Sequence, residues 1–335
     1  MTDEFELPDD DFNEDDADEN PPLLNDAAFN LVNQALAAVD DLRVEAVDVK
    51  GAGCILDFGV EATGSLAAGL ALAEICMAGL GEIQIASGEV AGCTWPHLNV
   101  STDNPTEACL LSQYAGWKVS VGKFFGMGSG PMRAAYANEA IFEQLDYREE
   151  ATAVIGILES GRLPDLKVVS LIAEKCKVEP ERVALLVAPT SSIAGNMQVV
   201  ARSVETALHK LHELGFDTTQ VISAFGTAPI SPVAADDLAA IGRTNDAILY
   251  GGRVTLWVEA EDEELKLIGP KVPSSSSLSY GKPFVDIFKE AGHDFYKIDP
   301  TLFSPAEIVF HNVESGRVFR FGEVNAEVLK RSFGL

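Results

Sequence analysis

The sequence has few basic residues for its length. Its 335 residues contain 24 Lys and Arg against 52 Asp and Glu, which gives a net charge of −28. The first 20 residues hold 11 of the acids and no base, so residues 21–335 still carry −17. This charge argues against nucleic acids and anionic membranes as partners. We interpret it as adaptation to a high-salt cytoplasm, where screening shortens the range of self-repulsion. A cationic ligand or partner is a second, compatible interpretation.

Cysteine pairs and long apolar segments are also missing. None of the five cysteines belongs to a CxxC pair, and most have apolar neighbours, which is typical of buried free thiols in a reducing compartment. The longest apolar run, "SLAAGLALAEICMAGLG", contains Glu74 and is too short to span a membrane, so it predicts a buried helix. The acidic N-terminus is the reverse of a basic signal sequence. We therefore expect a cytoplasmic protein without membrane association.

Motifs for nucleotide binding and covalent catalysis are absent as well. "FFGMGSGPMRA" (124–134) is rich in glycine, but its spacing does not match a dinucleotide fingerprint, and no Gly-Lys-Ser/Thr follows as in a P-loop. Two interpretations remain for it, a tight structural turn or a loop that contacts a ligand. No nucleophile elbow is present.

Beyond these absences, strand and helix patterns alternate along the chain. Residues 1–20 predict a disordered acidic tail. The runs "RVEAVDVK" and "CILDFGVE" predict a hairpin, and alternating strands and helices after them indicate α/β layering. We predict two α/β domains, residues 21–147 and 148–335. One long helix is predicted from about Ile193 to Leu214, ending before a glycine.

The two sides of this long helix differ. One side is an apolar stripe that predicts core packing, formed by Ile193, Met197, Val200, Val204, Leu208 and Leu211. The other side is polar and consists of Gln198, Arg202, Glu205, His209 and His212. A solvent face with a weak Arg–Glu pair is one interpretation. Since the surface of so acidic a chain should carry mainly Asp and Glu, a cleft-facing ridge fits better. The two histidines have metal-ligand spacing with Glu205, but histidines near a helix C-terminus also suit the helix dipole.

Several sequence blocks together resemble the methenyltetrahydromethanopterin cyclohydrolases. They are "STDNPTEACLLSQYAGW", "MGSGPMRA", "VAPTSSIAGNMQVVARSVETALHKLHELGF", "GTAPISP", "GRTNDAILYGG" and "DFYKIDPTLFSPAEI". The resemblance extends from about residue 22 to the C-terminus and implies two α/β domains with the active-site pocket between them. It also implies a homo-oligomer, typically a trimer, that requires neither metal nor nucleotide cofactor. The acidic tail lies outside the pattern and suggests a version from a halophilic archaeon.

The resemblance implies an enzyme of one-carbon metabolism. Such an enzyme adds water across the cyclic amidinium of a reduced pterin and so interconverts its methenyl and formyl forms. The catalytic Arg and Glu of the family, three residues apart, match Arg202 and Glu205. We expect Glu205 to stabilise the cation and to position or deprotonate the attacking water. Arg202 is expected to hold that carboxylate or to donate to the formyl oxygen. Burial should raise the pKa of Glu205 and Arg202 should lower it, and both outcomes remain open.

Other polar residues are candidates for substrate binding, with helix capping as the alternative. They are Asp103, Ser129, Gly130, Thr190, Ser191, Ser192 and Asp246. Two further functions remain open beside the first one. The same reaction on a tetrahydrofolate-type carrier is one, and a non-catalytic protein that binds a reduced pterin is the other. The presence of both Arg202 and Glu205 counts against a binding protein, because binding alone does not require this pair.

Overall fold

The computed structural model describes residues 23–292, 294 and 297–335, so the predicted acidic tail lies outside the described part. The α-helices are α1 Leu24–Ala37, α2 Val39–Leu42, α3 Leu66–Cys76, α4 Met132–Tyr136, α5 Ala140–Gln144, α6 Leu166–Cys176, α7 Ile193–Val200, α8 Ser203–Glu213, α9 Asp237–Gly251, α10 Asp262–Ile268, α11 Phe284–Glu290 and α12 Ala326–Phe333. The strands are β1 Glu45–Ala46, β2 Cys54–Asp57, β3 Glu82–Val90, β4 Cys93–Thr102, β5 Trp117–Val121, β6 Phe124–Ser129, β7 Val154–Glu159, β8 Val183–Ala188, β9 Val221–Pro229, β10 Arg253–Val258, β11 Glu307–Asn312 and β12 Val318–Gly322. A π-helix covers Thr106–Gln113, and short 3₁₀ helices cover Pro180–Arg182, Thr218–Gln220, Gly269–Lys271, Ser274–Ser276 and Pro300–Leu302.

The strands form two six-stranded mixed sheets, which confirms the predicted α/β class. The first sheet has the order β1-β2-β8-β7-β6-β5, with β2, β8 and β7 parallel. The second has the order β12-β11-β10-β9-β4-β3, with β10 and β11 parallel. The predicted hairpin is confirmed, because β1 pairs antiparallel with β2, although β1 has only two residues.

The chain passes repeatedly between the two sheets. It contributes β1 and β2 to the first sheet, β3 and β4 to the second, β5 to β8 to the first, and β9 to β12 to the second. Each sheet therefore contains strands from both sides of residue 148. The predicted division into 21–147 and 148–335 does not coincide with the division into sheets, because strand pairing between distant segments leaves no local signal.

Helix α8 packs on the buried face of the second sheet. Gly226 of β9 lies directly beneath it, and a Cβ there would come within 2.4 Å of Ser203 Oγ and 2.8 Å of Val204 Cγ2. The missing side chain thus permits close approach of helix and strand. This contact fixes the start of α8, where the predicted catalytic pair is located.

The predicted single helix from Ile193 to Leu214 is wrong in one respect. It is divided into α7 and α8 by a turn at Ala201 and Arg202. The backbone N–H of Arg202 donates a hydrogen bond to the Val199 carbonyl, three residues back, at 3.1 Å. Helical periodicity could not reveal the break, because the apolar stripe continues through both helices and is buried from Met197 to Leu211.

Gly130, which follows β6, is required for two reasons, its left-handed backbone and the lack of space for a side chain. Comparison with a second glycine separates the two costs. Its φ is +87°, and an added Cβ would lie 2.6 Å from Cδ1 of the buried Ile157. Gly92 has a φ of +82° and no atom within 4 Å of an added Cβ. Gly92→Ala should therefore cost about 1–2 kcal/mol for the left-handed backbone alone. Gly130→Ala should cost roughly 1–3 kcal/mol more through overpacking. Denaturant unfolding checks this, and equal losses would contradict it.

Candidate active site

A buried guanidinium, that of Arg202, is the centre of the candidate site. Its Nη1 donates to the Gln113 carbonyl at 2.7 Å. Its Nη2 donates to Ser129 Oγ at 3.1 Å and to Glu159 Oε1 at 3.0 Å. These partners belong to the π-helix, β6 and β7. Arg202, at the turn between α7 and α8, therefore links α8, which packs on the second sheet, to strands of the first sheet.

The C-terminal end of the π-helix supplies carbonyl acceptors to a second arginine too. The carbonyls of Leu110 and Ser112 accept from Arg133 Nη1 at 2.9 and 3.1 Å. The last carbonyls of a helix lack donors within the helix, so they need partners from outside. The π conformation is seen in the bond from the Tyr114 N–H to the Cys109 carbonyl, five residues back.

Arg133 has its own carboxylate. It is 1% exposed and binds Glu139 with two bonds, Nε to Oε1 at 2.8 Å and Nη2 to Oε2 at 2.7 Å. Its guanidinium lies 5.1 Å from the ring centroid of Tyr114, which stacks on His209 at 4.5 Å. Burial lowers the pKa of His209. In the described part of the chain, no three His, Cys, Asp or Glu side chains are grouped to hold a metal.

Glu205 lies one turn after Arg202 and is 6% exposed. Its carboxylate forms no hydrogen bond or ion pair with the side chains that the structure describes. Of the two roles expected for Arg202, holding the Glu205 carboxylate is not seen here, because the guanidinium binds Glu159 instead. Burial raises the pKa of Glu205 to about 7, against the opposing charges of Arg202 and Arg133. Of the two opposing effects expected from the sequence, burial prevails.

Glu159 is the residue that sequence reasoning missed. It ends β7, whose other residues, "VIGIL", are all apolar and buried, and its side chain is 20% exposed. β7 runs parallel to β8, and Glu159 is in register with Ala188. An acid at the carboxyl end of a buried parallel strand occupies the usual place for ligand contacts in α/β sheets. That signal was present in the sequence.

Of the substrate-binding candidates, the glycine-loop residues lie at this cluster. Ser129 contacts Arg202 as described above, and its Oγ accepts from Cys76 Sγ at 3.4 Å. Gln198 Nε2 reaches the same sulfur at 3.4 Å. Gly130 donates to the Ser112 carbonyl at 2.9 Å and makes the turn with positive φ. The loop is thus a tight turn that also presents one side chain to the cluster.

The residues before α7 have other partners. The Ser192 Oγ accepts from the Gly195 N–H at 3.0 Å, which confirms the capping alternative for Ser192. Ser191 donates through its N–H and Oγ to Asp237 Oδ1, at 3.1 and 2.6 Å. Thr190 is buried. No hydrogen bond joins these three residues to Arg202 or Glu205, and their role in substrate binding stays a prediction.

The two aspartates lie away from Arg202. Asp246, in α9, is fully buried and accepts from the Phe284 N–H at 2.8 Å, so its carboxylate fastens α11 to α9. Burial raises the pKa of Asp246 to about 7. Asp103 accepts from Ser223 Oγ at 2.6 Å and lines a separate groove of about 840 Å³ beside β4 and β9. Ligand binding by either residue stays a prediction.

Comparisons with known proteins identify similar sequences. A family profile described as "Cyclohydrolase (MCH)" matches residues 23–333. A methenyltetrahydromethanopterin cyclohydrolase of Rhodopirellula baltica is 49% identical over 286 residues, covering 84% of this chain and 86% of the relative. Proteins of the same name from Methanoregula boonei and Methanococcoides burtonii are 45% and 41% identical. Both alignments cover 93% of this chain, with 99% and 98% of the relatives.

The raised pKa of Glu205 makes stability depend on pH. The folded state retains a proton on Glu205 between about pH 4.5 and 7 that the unfolded state releases, so stability falls as the pH rises through this window. Glu205→Gln cannot ionise and should be more stable than the parent above pH 7, by roughly 3 kcal/mol at 1.36 kcal/mol per pKa unit. This advantage should vanish towards pH 4.5.

Urea unfolding of both proteins at several pH values between 5 and 8.5 measures the difference. Glu213→Gln, at an exposed position of the same helix, removes the same charge and should change stability by no more than about 0.5 kcal/mol at every pH. A Glu205→Gln effect that does not vary with pH would contradict the expectation.

Proposed function

The chain belongs to the cyclohydrolase (MCH) family, and we propose that it interconverts the methenyl and formyl forms of tetrahydromethanopterin in one-carbon metabolism. The observation that carries the proposal is the buried, unpaired carboxylate of Glu205 beside the fixed guanidinium of Arg202. A cyclic amidinium is a planar cation attacked by water at the carbon between its two nitrogens. A free carboxylate in a low-dielectric site suits both the cation and the water.

The proton transfers can be written through Glu205. The ionised carboxylate removes a proton from water as its oxygen bonds to the amidinium carbon, which gives a neutral tetrahedral intermediate. Glu205 returns this proton to one of the two nitrogens, and the C–N bond breaks as the carbonyl forms. The hydroxyl proton of the intermediate leaves to solvent, so one cation and one water yield a neutral formyl compound and one proton. A pKa near 7 lets the same carboxyl act first as base and then as acid.

Arg202 is better arranged to act on the reacting oxygen than to hold Glu205. Three hydrogen bonds hold its guanidinium against Gln113, Ser129 and Glu159. A guanidinium has five N–H donors, and the Nε of Arg202 has no partner within the described part of the chain. We assign to it donation to the oxygen that becomes the formyl group. The substrate would then occupy the junction of the two sheets at this residue.

We also propose a homotrimer, formed through the open face of the second sheet. This face carries cross-strand rows that include Ser223, Phe225, Thr255, Trp257, Val309 and His311, all partly exposed, while the alternate residues are buried beneath α8. None of these six residues is acidic, and the row through Phe225 reaches an acid, Glu82, only at the edge strand β3. In a chain with a net charge of −28, such a face lets like-charged copies approach with little repulsion.

The remaining expectations from the sequence complete the proposal. We assign the enzyme to the cytoplasm of a halophilic archaeon and expect it to act without a metal or nucleotide cofactor. The acidic composition supports the high-salt setting. None of the helices in the described ranges is long and apolar enough to cross a membrane.

Turnover assays in high-salt buffer test the function. Loss of the methenyl chromophore is followed with methenyltetrahydromethanopterin and, separately, with methenyltetrahydrofolate. We expect turnover of the first, a decrease of 10²–10⁴-fold for Glu205→Gln, and no change for Glu213→Gln. Turnover of the folate compound alone would show that the substrate is a tetrahydrofolate-type carrier. Tight binding without turnover would identify a binding protein. Near-normal turnover by Glu205→Gln would remove this residue from the mechanism.

The trimer is tested by introducing a charge at the proposed interface. Thr255→Glu puts an acid at the centre of the open face in every copy, so the concentration for half-dissociation should rise at least about tenfold. Lys167→Gln, at an exposed position of α6, changes the net charge equally and should leave the assembly intact. Light scattering over a dilution series measures the mass. A parent monomer would refute the trimer, and an unaffected Thr255→Glu trimer would refute this interface.

A further inference from the structure

The charges in the candidate site are paired in a particular way. Arg202 binds Glu159 at 3.0 Å, and Arg133 binds Glu139 at 2.7 Å. Both arginine side chains are nearly inaccessible, at 7% and 0% exposure, so their charges are weakly screened. Among these five charged side chains, only Glu205 lacks an ion-pair partner. With both pairs neutral, the cluster presents one free negative charge.

The backbone around Glu159 is held on both sides. In the first sheet, Glu159 is in register with Met127 of β6 and Ala188 of β8. The next residue, Ser160, donates through its N–H to the Ala188 carbonyl at 3.3 Å and through its Oγ to the Phe125 carbonyl at 2.8 Å. The Glu159 carboxylate therefore projects from a strand end whose backbone is fixed, and its position is better defined than that of a side chain on a surface loop.

We propose that Glu159 is a positioning residue that neutralises Arg202, so that the cationic methenyl substrate can bind next to a guanidinium. This inference rests on the proposed function, in which the substrate carries a positive charge and the product carries none. Without Glu159, an uncompensated arginine would repel the substrate but not the product. Glu159 thus lets the enzyme use an arginine as donor without losing affinity for a cation.

A second consequence concerns Glu205. The negative charge of Glu159 contributes to raising the pKa of Glu205, behind the effect of burial. Replacing Glu159 removes this repulsion and frees Arg202 to turn towards Glu205, and both changes favour the ionised carboxylate. For the parent enzyme, kcat/KM for hydrolysis should fall as the pH decreases through about 7, because the base becomes protonated.

The test compares Glu159→Gln with the parent in two measurements. The first is the KM for the methenyl substrate against the inhibition constant of the formyl product. We expect the former to rise at least about tenfold and the latter less than about threefold, because only the cation experiences the repulsion. The second is the pH profile of kcat/KM, whose acid limb should move to lower pH by about one unit.

Glu159→Asp keeps the charge and should restore the ratio of the two constants towards the parent value. If Glu159→Gln does not fold, Glu159→Ala replaces it in both measurements, because it also removes the charge and should give the same difference between the two constants. A role in structure alone would change both affinities by the same factor and leave the pH profile in place, which would overturn the inference. Failure of the parent to convert methenyltetrahydromethanopterin would instead overturn the proposed function.

Discussion

The requirement of one buried guanidinium for hydrogen-bond acceptors organises this molecule. Arg202 cannot lose its charge, and at 6% exposure it must find acceptors within the protein. It takes them from the π-helix, from β6 and from β7, while the helix that follows it, α8, packs on the second sheet. Satisfying this residue therefore fixes the relative position of the two sheets at the site. Since Glu159 receives the ion pair, the carboxylate of Glu205 is left free.

The free carboxylate is unfavourable for stability and suited to chemistry. A buried acid without a partner resists ionisation, which is why its pKa moves to about 7. A site with complementary pairs throughout would be more stable, but it would have no charge left for a cationic substrate. The pairing of Arg133 with Glu139 shows that the fold can neutralise an arginine locally. Glu205 thus remains unpaired at a cost in stability that the rest of the fold offsets.

Local pattern predicted much of the fold and part of the site. Hydrophobic periodicity predicted the α/β class and the apolar stripe of α7 and α8, and helical spacing put Arg202 and Glu205 on one polar face. The resemblance to the cyclohydrolases singled out these two residues. The break at Arg202 went unpredicted because the stripe continues through it, and the π-helix because its sequence also suits an α-helix. The partner of Arg202 depends on β7 lying beside β6 and β8, and such long-range pairing leaves no trace in neighbouring residues. The sequence could not show that the carboxylate of Asp246 joins α9 to α11, because that contact too is between distant segments.

The repeated passage of the chain between the sheets has a consequence for folding. β2 pairs with β8 and β4 pairs with β9, so in each sheet more than a hundred residues of chain separate two neighbouring strands. Neither sheet can form cooperatively from one contiguous half of the polypeptide. Such topology implies high contact order and slow, concerted folding. Arg202 meets its acceptors only when both sheets exist, so catalytic competence should appear at the last step of folding, with no active half-folded form.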